Sequence, residues 1–128
     1  MTNTIDYSKV TQRSDREAFE IAAAHLLKQG VRSGDDQVAH PKCYYRGPNG
    51  TKCAIGALIP DDVYQEAWDR EPYGARSLYQ TPAKEFLPVS QSLAVSLQSI
   101  HDICPPERWA EELKRLANAY GWVDWKVP

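Results

Sequence analysis

Residues 43–54 of the chain read CYYRGPNGTKCA. Two short runs with a preference for β-structure flank the turn-rich tetrapeptide GPNG. Aromatic residues favour strands, and a cluster of Gly, Pro and Asn between two such runs favours a tight connection. The pattern therefore predicts an antiparallel β-hairpin in which Arg46 faces Thr51. In that register Cys43 and Cys53 lie diagonally on neighbouring strands.

Helical signals lie on both sides of this hairpin. Ser14 and Glu17 have the spacing of a capping box, and Gly30 provides a left-handed stop, so a helix is predicted between them. Toward the C-terminus, apolar residues at helical spacing predict one core helix over 90–103 and a second that starts at the proline pair 105–106.

These elements together predict the α+β class, with four or five helices packed on a small antiparallel β-hairpin. The length of 128 residues is close to the commonest domain size, which predicts a single domain over 1–128. Residues 1–13 precede the first helical signal and are expected to form a flexible N-terminal segment.

Composition narrows the functional classes. Fifteen basic and seventeen acidic residues give a formal net charge of -2, which argues against nucleic acid as the main partner. The sequence contains no apolar run of the roughly 18 residues that a membrane span needs, and its N-terminus lacks the pattern of a secretory signal. We therefore expect a cytoplasmic protein that does not contact a membrane. Three cysteines, an odd number, predict reduced thiols.

The residues around the hairpin resemble a family of small uncharacterised proteins from bacteriophages and bacteria. The resemblance rests on Cys43-Tyr44-Tyr45-Arg46, on Gly50-Thr51-Lys52-Cys53-Ala54-Ile55-Gly56-Ala57-Leu58-Ile59-Pro60-Asp61 with Tyr64, and on Leu97-Gln98-Ser99-Ile100-His101-Asp102 with Trp109. These residues span roughly half of the chain. The resemblance implies a phage-type origin and no particular catalytic role, so no functional residue is carried over from it.

A thiol-dependent hydrolase is the enzymatic hypothesis. Cys53 could serve as nucleophile with His101 as its base and Asp102 beside it, since imidazole can accept a thiol proton. Adjacent helical positions diverge by about 100°, which favours a Cys–His dyad over a complete triad. A free cysteine among small apolar residues is more often a buried hydrophobe, and we favour that structural interpretation.

Zinc is the cofactor hypothesis, with Cys43, Cys53 and His101 as ligands and His40 or Cys104 as a fourth. Nine residues separate Cys43 from Cys53, whereas structural zinc sites use close pairs separated by two to four. The prediction is accordingly that no cofactor is bound.

Protein binding is the function that the sequence favours. Cationic and aromatic side chains on the hairpin, and two tryptophans near the C-terminus, are the candidate partner-binding residues: Tyr44, Arg46, Lys52, Trp122 and Trp125. A structural alternative has Arg46 bonding a carbonyl or pairing with Asp61 or Asp62. We predict a non-catalytic accessory or regulatory protein that acts on a host or defence protein, with homodimerisation through the tryptophan tail as a further possibility.

Overall fold

The computed structural model describes residues 14–34, 44–70 and 77–128 of the chain. The predictions made for residues 1–13, His40 and Cys43 lie outside this part. The described segments contain four α-helices: α1 (Asp15–Gln29), α2 (Ala67–Arg70), α3 (Gln91–Ile103) and α4 (Trp109–Ala119). Short 3₁₀ turns connect them at Pro48–Gly50, Gly56–Leu58, Ser77–Gln80, Pro82–Phe86 and Pro106–Arg108.

Helix α1 begins and ends where the sequence predicts. The Ser14 hydroxyl accepts from the Glu17 N–H, and the Glu17 carboxylate reaches back to the Ser14 N–H, so the capping box is complete. Gly30 ends the helix with φ of 70°, a left-handed conformation that glycine adopts without a Cβ clash.

The core lies where α1 packs on both α3 and α4. Phe19 and Leu26 from α1, Leu97 from α3, and Trp109 and Leu113 from α4 are all fully buried. Such apolar burial is the main stabilising contribution to a fold of this size. Among the described residues, no helix combines the length and the apolar character needed to cross a bilayer.

The predicted β-hairpin is wrong, and with it the α+β class. In the part of the chain that the structure describes there is no β-strand, and the fold is helical. Asn49 and Gly50 adopt φ of 59° and 74°, and residues 51–59 continue through turns. The physical reason is that side chains from the helices form hydrogen bonds with backbone groups of this segment. In a hairpin, a partner strand would bind those groups.

Gly56 provides a test of how tightly this segment packs. A Cβ added at Gly56 would lie 2.2 Å from the backbone oxygen of Tyr45 and 2.9 Å from its carbonyl carbon. Because backbone atoms cannot rotate away, we expect Gly56→Ala to lower the free energy of unfolding by about 1–3 kcal/mol or more. Urea denaturation monitored by tryptophan fluorescence measures the change.

Gly50→Asn is the matched control for Gly56→Ala. No atom lies within 4 Å of the Cβ position at Gly50, and asparagine tolerates its positive φ. A Gly56→Ala protein as stable as the unsubstituted protein would contradict the close approach between residues 45 and 56.

Candidate functional site

Three side chains from the helices hold the irregular segment 44–61 in place. The first is Gln29, whose amide pairs with both backbone groups of Lys52, as a neighbouring strand would. The Lys52 N–H donates to Gln29 Oε1 at 2.9 Å, and Gln29 Nε2 donates to the Lys52 carbonyl at 3.0 Å. His25 Nε2 lies 3.2 Å from the same carbonyl. Gln29 therefore satisfies both backbone groups of Lys52, although residues 51–53 are not part of a sheet.

The second is Asp69 in α2, whose carboxylate binds two consecutive backbone N–H groups. The Tyr45 N–H donates to it at 2.8 Å and the Arg46 N–H at 3.1 Å, and the Tyr64 hydroxyl makes a further short hydrogen bond. Burial and the bond to Asp69 raise the pKa of Tyr64 above its ordinary range. One carboxylate thus joins the start of the segment to α2 and to Tyr64.

The third is Gln98 in α3, which lies beside the candidate thiol. The Ile55 N–H donates to Gln98 Oε1 at 3.3 Å, and the neighbouring Gln98 side chain partly offsets the effect of burial on the pKa of the Cys53 thiol. Its Nε2 donates to Asp102 at 2.9 Å. Gln98 therefore links the thiol to the carboxylate that contacts His101.

Arg46, a predicted partner-binding residue, directs its guanidinium into the protein. It donates to the carbonyls of Gly56 at 2.6 Å and Ile59 at 2.7 Å, and it pairs with Asp61 at 3.0 Å. The group lies 4.8 Å from the centre of the Tyr64 ring, and only 18% of the side chain is exposed. These are the contacts of the structural alternative, in which Arg46 bonds carbonyls and Asp61.

Cys53 is fully buried, and its thiol is held in the protonated form. The Gly56 N–H donates to Sγ at 3.3 Å. Burial nevertheless dominates and raises the pKa of Cys53 from 9.0 to about 12. A reactive cysteine needs access and a lowered pKa, and this site provides neither.

His101 is also fully buried, and each ring nitrogen has a partner. The Ser33 N–H donates to Nε2 at 3.0 Å, so Nε2 carries the lone pair. The proton on Nδ1 is then directed to Asp102 Oδ1, 2.7 Å away. The ring stacks on Trp109, with centroids 5.6 Å apart. The tips of the His101 and Asp102 side chains therefore meet, although adjacent positions diverge along a helix. Since both ring nitrogens are engaged, the imidazole has no free nitrogen to accept a thiol proton.

The other predicted site residues fall in different places. Tyr44 is half-buried and donates its N–H to the Ser33 carbonyl, while Lys52 lies 4.0 Å from Asp61. Cys104 is half-buried at the end of α3. The part of the chain that the structure describes contains no group of three or more His, Cys, Asp or Glu that could hold a metal. The zinc hypothesis also depends on Cys43, which lies outside that part.

Sequence reasoning missed the residues that organise this region: Gln29, Ser33, Asp69 and Gln98. Gln98 and Asp102 are four residues apart on α3, a spacing that signals side-chain contact on a helix. Gln29 and Asp69 have no comparable signal, because their partners are backbone groups distant in sequence.

Comparison with protein-family models, with curated proteins and with solved structures finds no match to this chain.

Asp69→Asn tests the role of the carboxylate. An amide in its place has one oxygen to accept hydrogen bonds, and its NH₂ group would face N–H groups that only donate. Hydrogen bonds to charged groups contribute about 1.5–3 kcal/mol, and we expect a loss of that order in the free energy of unfolding. The amides of Tyr45 and Arg46 should also exchange faster with deuterium. Glu66→Gln, an exposed change nearby, is the control. Unchanged deuterium exchange at the amides of Tyr45 and Arg46 would contradict their hydrogen bonding to Asp69.

The state of Cys53 gives a second test at this site. In the native protein we expect iodoacetamide to label Cys104 well before Cys53, and denaturant should remove the difference, as peptide mass spectrometry can measure. Rapid native labelling of Cys53 that His101→Ala suppresses would contradict this structural role.

The same thiol makes stability depend on pH. Its pKa is raised on folding, so its contribution to stability is complete below about pH 9 and is lost as the pH rises toward about 12. Cys53→Ala should therefore flatten the fall in the unfolding free energy over this range. Burial also raises the pKa of Tyr79 to about 12. Because Tyr79 is present in both proteins, part of the pH dependence of stability remains in each. A curve with the same slope in both proteins would contradict the raised pKa.

Proposed function

We propose that this protein acts by binding another protein, and that the tail 120–125 provides the contact surface. The observation that carries the proposal is the position of Trp122. This indole is half-buried: it packs on Phe19 and Tyr120 and keeps part of its surface accessible to solvent. Tryptophan and tyrosine dominate the energetics of many protein interfaces because they combine a large apolar area with few rotatable bonds.

Aromatic contacts hold the tail on α1 and α4. Trp125 is only 7% exposed and meets Phe19 edge-on, with ring centroids 4.9 Å apart. Trp122 lies 5.4 Å from Phe19 and stacks on Tyr120 at 5.1 Å with an interplanar angle of 21°. Trp125 therefore acts as an anchor, and Trp122 is the ring that a partner can reach.

Polar contacts fix the backbone of the same segment. Lys114 Nζ donates to the carbonyl of Val123 at 2.9 Å and also to that of Trp125. Arg16 pairs with Asp124 through two hydrogen bonds, of 3.0 and 2.9 Å. A surface that is ordered before binding loses less conformational entropy when a partner arrives.

Val123 extends the accessible surface beside Trp122. Its side chain is 68% exposed, although it lies between two residues whose side chains are held by contacts with α1. An apolar residue displayed next to an aromatic ring is a common composition for the centre of an interface. The resemblance to phage and bacterial proteins favours a host or defence protein as the partner.

The other hypotheses receive less support. Arg46 and Lys52 are engaged in intramolecular contacts, so we assign them a smaller part in partner binding. A hydrolase that uses Cys53 and His101 would require an accessible thiol and a free imidazole nitrogen. The geometry described above supports neither requirement.

Affinity capture with matched variants tests the tail. Val123→Glu places a charge on the accessible surface and removes none of the buried contacts, so it should abolish capture of a specific partner from a host lysate. Trp122→Ala should do the same, with some loss of stability because Trp122 packs on Phe19. Ile21→Glu is the control, since Ile21 is an exposed apolar residue on α1 outside the tail.

The comparison is made by quantitative mass spectrometry of the captured proteins. A partner that is lost with both tail variants and kept with Ile21→Glu supports the proposal. If every protein captured by the unsubstituted chain is captured equally by Val123→Glu, the tail is not the contact surface.

A further inference from the structure

A hollow of about 580 Å³ lies at the C-terminal end of α1, away from the tail 120–125. It is lined by His25, Lys28 and Gln29 of α1, by Val31, and by residues 49–51. Sites for small molecules usually have volumes of about 300–1,000 Å³, so the hollow is large enough for a ligand. We call it the α1-end hollow.

Hydrogen bonds fix the walls of the α1-end hollow. The Gly47 N–H donates to the Thr51 carbonyl at 2.9 Å, which closes the turn that carries residues 49–51. Gln29 binds both backbone groups of Lys52 and also donates to the Val31 carbonyl at 2.8 Å. Because the walls are held before a ligand arrives, binding requires little further ordering of the chain.

Lys28 is the one charged residue that lines the hollow. Its side chain is exposed, and within residues 14–34, 44–70 and 77–128 its ammonium group has neither an ion pair nor a hydrogen bond. A cation in the last turn of a helix interacts favourably with the helix dipole, which accounts for a basic residue at this position. The dipole supplies no hydrogen-bond acceptor for the ammonium group, however, and an anion in the hollow would.

His25 offers a second polar group, one helical turn from Lys28 on the same face of α1. Its Nε2 lies 2.9 Å from Gln29 Oε1 and 3.2 Å from the Lys52 carbonyl oxygen. Gln29 Oε1 itself accepts from the Lys52 N–H, so both neighbours of Nε2 are acceptors and Nε2 carries the proton of the neutral ring. Nδ1 then bears the lone pair. It has no partner in the described part of the chain and is not among the buried polar atoms there, so a ligand can reach it.

The two groups together select a particular anion. Lys28 requires a negatively charged oxygen, and Nδ1 of His25 requires an O–H donor beside it. A phosphate monoester provides both on one tetrahedral group, because its second pKa is about 6 and it retains an O–H near neutral pH. A sulfate ester has the same shape but no proton to donate. Val31, whose side chain is 53% exposed, provides an apolar wall for the organic part of the ester.

We propose that the α1-end hollow binds a small phosphate monoester, with the phosphate between Lys28 and His25 and the organic group against Val31. This proposal does not depend on the function assigned to the tail.

Phenyl phosphate is the probe, titrated into the ¹⁵N-labelled full chain and followed by the amide NMR shifts. We expect saturable shifts at residues 25–31 and 49–51. Phenyl sulfate should bind at least about tenfold more weakly, because it cannot donate to His25, and phenol should produce no saturable shift at these residues. Equal affinity for phenyl sulfate and phenyl phosphate overturns the assignment of a phosphate ester.

Three substitutions of exposed residues test the site itself. Lys28→Met should raise the dissociation constant of phenyl phosphate by about tenfold or more, and Lys28→Arg should largely restore binding. Val31→Trp should fill the hollow and prevent binding. Lys126→Met is the matched control, since it removes an exposed cation in another part of the chain.

The unsubstituted amide spectrum, apart from shifts near each substitution, shows that a variant is folded. Binding that is unaffected by Lys28→Met, or reduced as much by Lys126→Met, overturns the proposal. The absence of saturable shifts at residues 25–31 and 49–51 with millimolar phenyl phosphate overturns it as well.

Discussion

The structure depends on one constraint: the turns of residues 44–61 pair only some of the backbone groups of this segment, and others, such as both groups of Lys52 and the N–H groups of Tyr45 and Arg46, find their partners in side chains of the helices. Unpaired backbone donors and acceptors away from water are costly, so each needs a substitute partner. Gln29, Asp69 and Gln98 supply those partners from three different helices, and Arg46 supplies donors for the carbonyls of Gly56 and Ile59. The segment is thereby bonded to α1, α2 and α3 together.

This arrangement explains the roles of the residues that seemed most reactive. The Cys53 thiol accepts a hydrogen bond from Gly56 and contacts Gln98, and His101 accepts one from Ser33 while donating to Asp102. The thiol of Cys53 and both ring nitrogens of His101 each bond to a neighbour inside the protein. Most of the described residues in 44–61 and 97–102 belong to this network or to the core around it. They therefore have a structural role in folding.

The surface proposed for partner binding lies outside this network. The tail is ordered by Trp125 against Phe19 and by the Arg16–Asp124 pair, and Trp122 within it is partly accessible to solvent.

The sequence by itself determined the elements whose signals are local. Capping by Ser14 and Glu17, the left-handed stop at Gly30 and the apolar spacing in α3 and α4 act within a few turns of one helix, so they can be predicted without knowledge of the fold. Only the tertiary structure decided the conformation of 44–54. Its strand-prone composition predicted a hairpin, but Gln29 and Asp69 bind its backbone from positions more than twenty residues away. The burial of Cys53 and the tautomer of His101 were decided in the same way, because the groups that surround them come together only when α1, α3 and this segment pack.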